Sequence, residues 1–166
     1  MRKWLFIILL IVFLAPGVLA YFFYATPGLL TKTTLNRGKL ITPPKSMTEF
    51  SPKSQKWRLI LWNFAECDQQ CLHKLEDLMR VRLALGRKLY DVDVCLLHVK
   101  TISLKLQNLF KAQHICDLKL SPEDVSRLKL THSEILMVDP QNYWILSYLT
   151  NAPLDDLYQD LKRLLR

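Results

Sequence analysis

Trp57-Arg58-Leu59-Ile60-Leu61-Trp62-Asn63-Phe64-Ala65-Glu66-Cys67-Asp68-Gln69-Gln70-Cys71 is the stretch from which the rest of the chain is read. Trp57 to Phe64 is apolar on both faces apart from Arg58 and Asn63, the pattern of a central strand covered on both sides. Cys67 falls at the following turn, and Cys71 stands four residues on, one turn into a helix. Asp68, Gln69 and Gln70 suit a first helical turn, whose free N–H groups favour polar and acidic side chains. Two thiols so placed share one face, and a helix N-terminus stabilises thiolate over thiol. The spacing alone carries little. Its position between a buried strand and a helix gives it chemical meaning, as a place to hold a soft metal ion or exchange a disulfide.

Downstream, Asp68 to about Leu89 reads as a helix with an apolar stripe of Leu72, Leu75, Leu78, Met79, Arg82, Leu83 and Leu85, ending near Gly86. Asp91 to Val99 reads as a second buried strand. Thr101 to Leu120 is ambiguous, with Leu104, Leu106, Leu109 and Phe110 placeable on a helix. Ser121-Pro122-Glu123-Asp124 starts a short helix through about Lys129, with Ser as cap, Pro at the first position and acids following. Glu134–Val138 and Tyr143–Leu149 are strands joined by the turn Asp139-Pro140-Gln141-Asn142, hence a hairpin. Ala152-Pro153 opens a last helix, with Leu154, Leu157, Leu161, Leu164 and Leu165 as its buried stripe. The order from Trp57 is strand, helix, strand, helix, strand, strand, helix. It predicts parallel pairing through right-handed crossovers, with the hairpin as an antiparallel edge. With two cysteines closing the first strand, this is the order of an α/β thioredoxin-like fold.

Upstream, Trp4 to Tyr24 is apolar, uncharged and long enough to cross a bilayer, with Trp4, Tyr21 and Tyr24 near its ends. Pro16-Gly17 is tolerable in such a span. A cleaved signal peptide is the competing reading, with Leu5–Leu14 as apolar core and Val18-Leu19-Ala20 before the cut. The apolar run continues through Tyr21-Phe22-Phe23-Tyr24 and favours an uncleaved anchor. Either reading exports the domain. The expected organisation is an anchor at 1–25, a basic tether at 26–56 and the thioredoxin-like domain at 57–166. Within the tether, Leu40-Ile41 and Met47–Phe50 are candidates to dock on the domain.

The net charge of +8 does not point to nucleic acid. Residues 1–56 carry eight Lys or Arg against Glu49, a balance of +7, which leaves fifteen against fourteen, or +1, for residues 57–166. The basic charge therefore sits in a membrane-proximal segment, where lipid headgroups are the natural counter-charge.

One resemblance is specific. Cys67-x-x-x-Cys71 after a buried strand resembles the copper-binding stretch of the Sco/SenC family of cytochrome oxidase assembly proteins. Thr131-His132-Ser133-Glu134-Ile135-Leu136-Met137-Val138-Asp139-Pro140 resembles that family's Asp-His-Ser segment leading to Asp-Pro-Asp-Gly. A divergent Sco-like group found near bacterial cytochrome c oxidase genes is closer. It shares Met79-Arg80-Val81-Arg82-Leu83-Ala84-Leu85-Gly86, the Val138-Asp139-Pro140 turn and the Asp160-Leu161-Lys162-Arg163-Leu164-Leu165 end. The resemblance covers about residues 36 to 166. It implies an inner-membrane protein facing the periplasm, with Cys67, Cys71 and His132 as copper ligands. It also implies a cytochrome c oxidase subunit or another assembly factor as partner, and a carrier rather than a turnover enzyme. Two thiolates and an imidazole suit copper in both oxidation states.

The departures from that pattern are equally definite. Glu66 and Leu72 stand where prolines usually flank the Sco cysteines. His132 lies one residue nearer the Asp-Pro turn than in typical Sco proteins, and on a strand one residue turns a side chain to the other face unless a loop before Glu134 absorbs it. Two alternatives stay open. Cys67 and Cys71 could be a redox pair that reduces the thiols of an oxidase copper-site subunit, or the fold could serve as an assembly platform without metal. Against the reductase, the pair has three intervening residues, and no proline stands at Thr131-His132.

The other candidates have plainer readings. Cys95 is a small hydrophobe in a strand, and an exported protein permits a Cys95–Cys116 disulfide that sequence does not decide. His114 and Cys116 form a lone Cys-x-His pair without companions. His73 and His98 receive no role, and Tyr143 and Trp144 read as core. Glu76-Asp77 and Asp155-Asp156 read as solvated helix faces.

Overall fold

The computed structural model describes residues 2–25, 36–48 and 54–165. The chain divides into two units, Met1–Leu35 and Asn36–Arg166. The first holds helix α1 (Arg2–Ala25), with Pro16 inside it. Lys3–Ala25 is long and apolar enough to cross a membrane, and none of it is buried against protein.

The second unit is built on one six-stranded sheet. Its elements are β1 (Lys39–Ser46), β2 (Trp57–Asn63), α2 (Gln69–Ala84), β3 (Val92–His98), α3 (Leu104–Gln113), β4 (Ile115–Lys119), α4 (Pro122–Leu128), β5 (Glu134–Val138), β6 (Tyr143–Leu149) and α5 (Leu154–Leu164). The strand order is β1-β6-β5-β2-β3-β4. β2, β3 and β4 run parallel, while β5 and β6 add antiparallel to the other side of β2. Buried β2 is thus the centre that its two-faced apolar pattern predicts. Leu59 and Leu61 enter a core with Leu75, Leu78 and Val81 of α2, Phe110 of α3, and Leu157 and Leu161 of α5. Ile60 and Trp62 enter the opposite core with Val125 and Leu128 of α4 and with Met47. Arg58, the charged exception in the strand, is itself buried and donates from Nη2 to Asn142 Oδ1 in the hairpin turn.

Several expectations are met almost to the residue. The second buried strand, the hairpin and the last helix stand where periodicity places them. Ser121 caps α4 in a capping box with Asp124. Three differ. The α2 helix ends at Ala84, and a 3-10 turn over Gly86–Asp91 follows, with Gly86 at φ +61. The ambiguous stretch contains a strand besides a helix: His114 takes the left-handed conformation (φ 54) and releases the chain into β4. Part of the expected tether, Lys39–Ser46, is strand β1, paired with β6. The hairpin is therefore not the sheet's edge. Thr42-Pro43-Pro44 carries turn and extended signals, and proline is compatible with an edge strand, where the register shifts between Leu40 and Lys45. Of the docking candidates, Met47 is fully buried, while Glu49 and Phe50 lie outside the described residues.

Candidate functional site

The cysteine pair stands where β2 hands the chain to α2. Asp68 is the N-cap, and its Oδ1 accepts from the Cys71 N–H at 2.9 Å. Cys71 is the third helical residue and is buried in the α2–α5 core, while Cys67 precedes the cap and is half-buried. Their Cα atoms are 5.1 Å apart and the two sulfurs form a disulfide. The loop carrying Cys67 is anchored by Asn63, whose Nδ2 donates to the Glu66 carbonyl at 3.3 Å. Asn63 Oδ1 in turn accepts from Ser133 Oγ at 3.1 Å, which ties the loop to the entry of β5. Glu66 also meets Lys100 at 3.4 Å.

Two cavities flank the pair. One of about 640 Å³ is lined by Cys71, Asn63, Gln70, Lys74 and Ser133. A smaller one of about 320 Å³ is lined by Cys67, Glu66, His98, Lys100 and Ser103. Asn63, Ser133, His98 and Lys100 come from the ends of β2, β5 and β3 and the loops beside them. Nothing in their own sequence neighbourhoods links these four, and only the C-terminal position of β2 and β3 in a parallel pair hinted that the ends of those strands would converge.

His132 is not brought to the cysteines. It is exposed, its Nδ1 lies 3.0 Å from Thr131 Oγ1, and it lines a third cavity of about 840 Å³ with Lys45, Lys129, Glu134 and Trp144. Ser133 lines the Cys71 cavity instead, so adjacent residues open to different sides, as alternation before a strand dictates. Burial pushes the Glu134 carboxyl up from its ordinary range, with His132, Ser147 and Lys45 opposing, and burial lowers Lys45. Among the described residues no group of three His, Cys, Asp or Glu side chains could hold a metal ion. The donors present at the pair are two sulfurs joined to each other, and they do not make up the three-ligand copper set. Cys95 and Cys116, in register on β3 and β4, form a second disulfide against the opposite core.

Residues 57–166 match the family model described as transmembrane-like, thioredoxin-like, C-terminal domain. The chain belongs to this family. Its thioredoxin-like α/β domain is accordingly the one that the strand-helix order predicts. A comparison with curated proteins finds no match. Among solved structures, Arabidopsis thaliana ScoI with copper bound aligns at TM-score 0.53 and 16 % identity, covering 67 % of this chain and 84 % of that one. BsSco, a member of the Sco family of cytochrome c oxidase assembly proteins with a disulfide switch, aligns at 0.53 and 17 %, covering 82 % and 98 %. A thiol:disulfide interchange protein of the thioredoxin family from Chlorobium tepidum aligns at 0.50 and 15 %, covering 68 % and 82 %. At these identities the likeness is one of fold, and this family member shares that fold with Sco proteins and thiol-disulfide proteins alike.

Proposed function

We propose that the chain is a membrane-anchored thiol–disulfide exchange protein that acts through Cys67 and Cys71 on the periplasmic face of a bacterial inner membrane. The observation that carries this reading is the asymmetric disulfide at the β2–α2 turn, with Cys67 half-buried and Cys71 buried. In the reduced protein the Cys67 thiolate attacks a partner's disulfide. One Cys67–partner S–S bond forms as the partner's S–S bond breaks, and the first partner sulfur leaves as thiolate. Cys71, deprotonated, then attacks Cys67. The mixed disulfide breaks, the partner leaves as dithiol after taking up two protons, and the Cys67/Cys71 dithiol, having given up the two electrons that reduced the partner, is left as the disulfide. The resemblance to Sco proteins in the cysteine and Asp-Pro segments supports a copper-site subunit of cytochrome c oxidase as that partner. The uninterrupted apolar run through Tyr24 supports an anchor over a cleaved leader. The test is equilibration of the full-length protein in detergent with glutathione redox buffers, reading the Cys67–Cys71 state by mass spectrometry. A pair that cycles, with Cys67→Ser abolishing mixed-disulfide formation, supports the exchange reading; a pair inert across the range sinks it.

Copper carriage is the second reading, favoured by the two soft sulfurs that reduction frees on one helix end. A Cu(I) competition titration on reduced protein tests it beside Cys67→Ser, Cys71→Ser and His132→Ala. One tight copper, lost in both cysteine variants and retained in His132→Ala, supports a two-thiolate site. No tight copper removes copper carriage and leaves exchange alone.

A further inference from the structure

We propose that the cavity of about 840 Å³ beside β1 and β6 is an anion site that takes the phosphodiester of a membrane lipid headgroup on Lys39, Lys45 and Lys129. Strand β1 carries two lysines of the basic N-terminal segment onto the domain, Lys39 opposite Ser147 and Lys45 opposite Trp144 of β6. Lys129, the C-cap of α4 in the left-handed conformation (φ 56), lines the same wall from the segment between α4 and β5. Lys45 is held in place. Its Nζ donates to the Leu128 carbonyl at 2.5 Å and lies 4.7 Å from the centre of the buried Trp144 ring. An ammonium has three donors, so two stay available. Lys39 and Lys129 are exposed. None of the three lysines closes an ion pair with a described residue.

The charges in this wall do not cancel. Asp156 is taken by Arg37 at 2.6 Å, which leaves Glu134 as the remaining carboxyl against three lysines, a balance of +2. Glu134 is 9 % exposed, so an anion entering from solvent meets Lys39 and Lys129 first. Lys39 and Lys45 both act on Glu134, and Lys129 acts on Lys45, so these charges form one coupled group. Burial lowers the Lys45 pKa and Lys129 adds to that, with Glu134 opposing; a bound anion relieves this crowding of positive charge. The source of the anion rests on the anchor proposed above. With Lys3–Ala25 in a bilayer, residues 26–35 reach at most about 35 Å even fully extended. A domain on so short a tether meets headgroup phosphates at high effective concentration, and an anionic leaflet attracts the lysines further.

The experiment uses full-length protein in nanodiscs of phosphatidylcholine and in nanodiscs that also hold phosphatidylglycerol. The rate at which acetic anhydride acetylates each lysine is read by peptide mapping. Lys39, Lys45 and Lys129 should react about threefold to fivefold more slowly in the anionic discs, while Lys105 and Lys111, exposed on α3, keep their rates. Lys129→Gln should lower the protection at Lys45, and Lys111→Gln should not. Unchanged rates at the three cavity lysines overturn the inference. Equal slowing at every lysine also overturns it, because it reports only the surface potential of the disc. Inorganic phosphate added to the phosphatidylcholine discs separates the two sources of the anion: protection by free phosphate and none by phosphatidylglycerol overturns the lipid assignment. A chain that enters neither disc is a different result, which removes the anchor and this lipid source with it. Neither Cys67 nor Cys71 lines this cavity, so the outcome does not depend on the exchange reading.

Discussion

Asp160 shows how much one side chain can hold. It is 2 % exposed on α5, and its Oδ2 accepts from the backbone N–H of Arg37 at 2.8 Å, from that of Gly38 at 3.0 Å and from Tyr148 OH at 2.8 Å. Arg37 adds contacts to Asp155 and Asp156, and Asp156 raises the Arg37 pKa further above its ordinary value. The point where the chain enters the domain is thus latched to the last helix. Asp160→Ala should cost about 2–4 kcal/mol, because it leaves buried donors unpaired, and urea melts will read it. Gly38 packs against the Tyr148 ring so closely that any Cβ would overlap it, so Gly38→Ala should also destabilise. Glu134 works in the opposite direction. Burial raises its folded-state pKa above the unfolded value, so the folded state binds the proton more tightly, and the stability gained by that proton is lost as pH rises through the folded pKa. Glu134→Gln should therefore be more stable than wild type at pH 7, with the gain vanishing below about pH 4. Thermal melts across that range check it.

At the scale of elements, β4 and α4 illustrate two kinds of support. β4 is a five-residue edge strand, joined to β3 by hydrogen bonds and by the Cys95–Cys116 disulfide. Closing a loop of this length contributes about 3 kcal/mol in the chain-entropy account. A Cys95→Ala/Cys116→Ala variant should lose about that much while the Cys67–Cys71 pair still cycles. Cys95 is fully buried and Cys67 is not, so mild reductant should open Cys67–Cys71 first, which timed alkylation and peptide mapping will show. The α4 capping box was legible as Ser-Pro-Glu-Asp because capping is local chemistry. β4 was not, because a short edge strand with Asp117 and Lys119 alternating outward has no apolar run to announce it.

For the whole molecule, the N-terminal helix and the domain make separate demands. Lys3–Ala25 has a mean hydropathy of 2.8 over its most apolar window and no protein burial, as lipid contact requires. Alkaline extraction should leave the full 19.5 kDa chain in the membrane fraction. A released species shorter by the apolar segment would instead mark it as a cleaved leader.

The sequence by itself determined what depends on neighbours along the chain. Periodicity placed β2, β3, the hairpin and α5, and the position of Cys67 and Cys71 between a buried strand and a helix marked the β2–α2 turn as the candidate site. Only the tertiary structure decided what depends on residues meeting from afar. It took Lys39–Ser46 out of the tether, because an edge strand is defined by its partner β6 and not by its own composition. It turned His132 toward the Lys45–Glu134 cavity and Ser133 toward Cys71, because one residue at the entry to β5 reverses the face a side chain occupies. It set His98 on the wall of a cavity that Cys67 also lines, because parallel β2 and β3 end together at the same edge of the sheet.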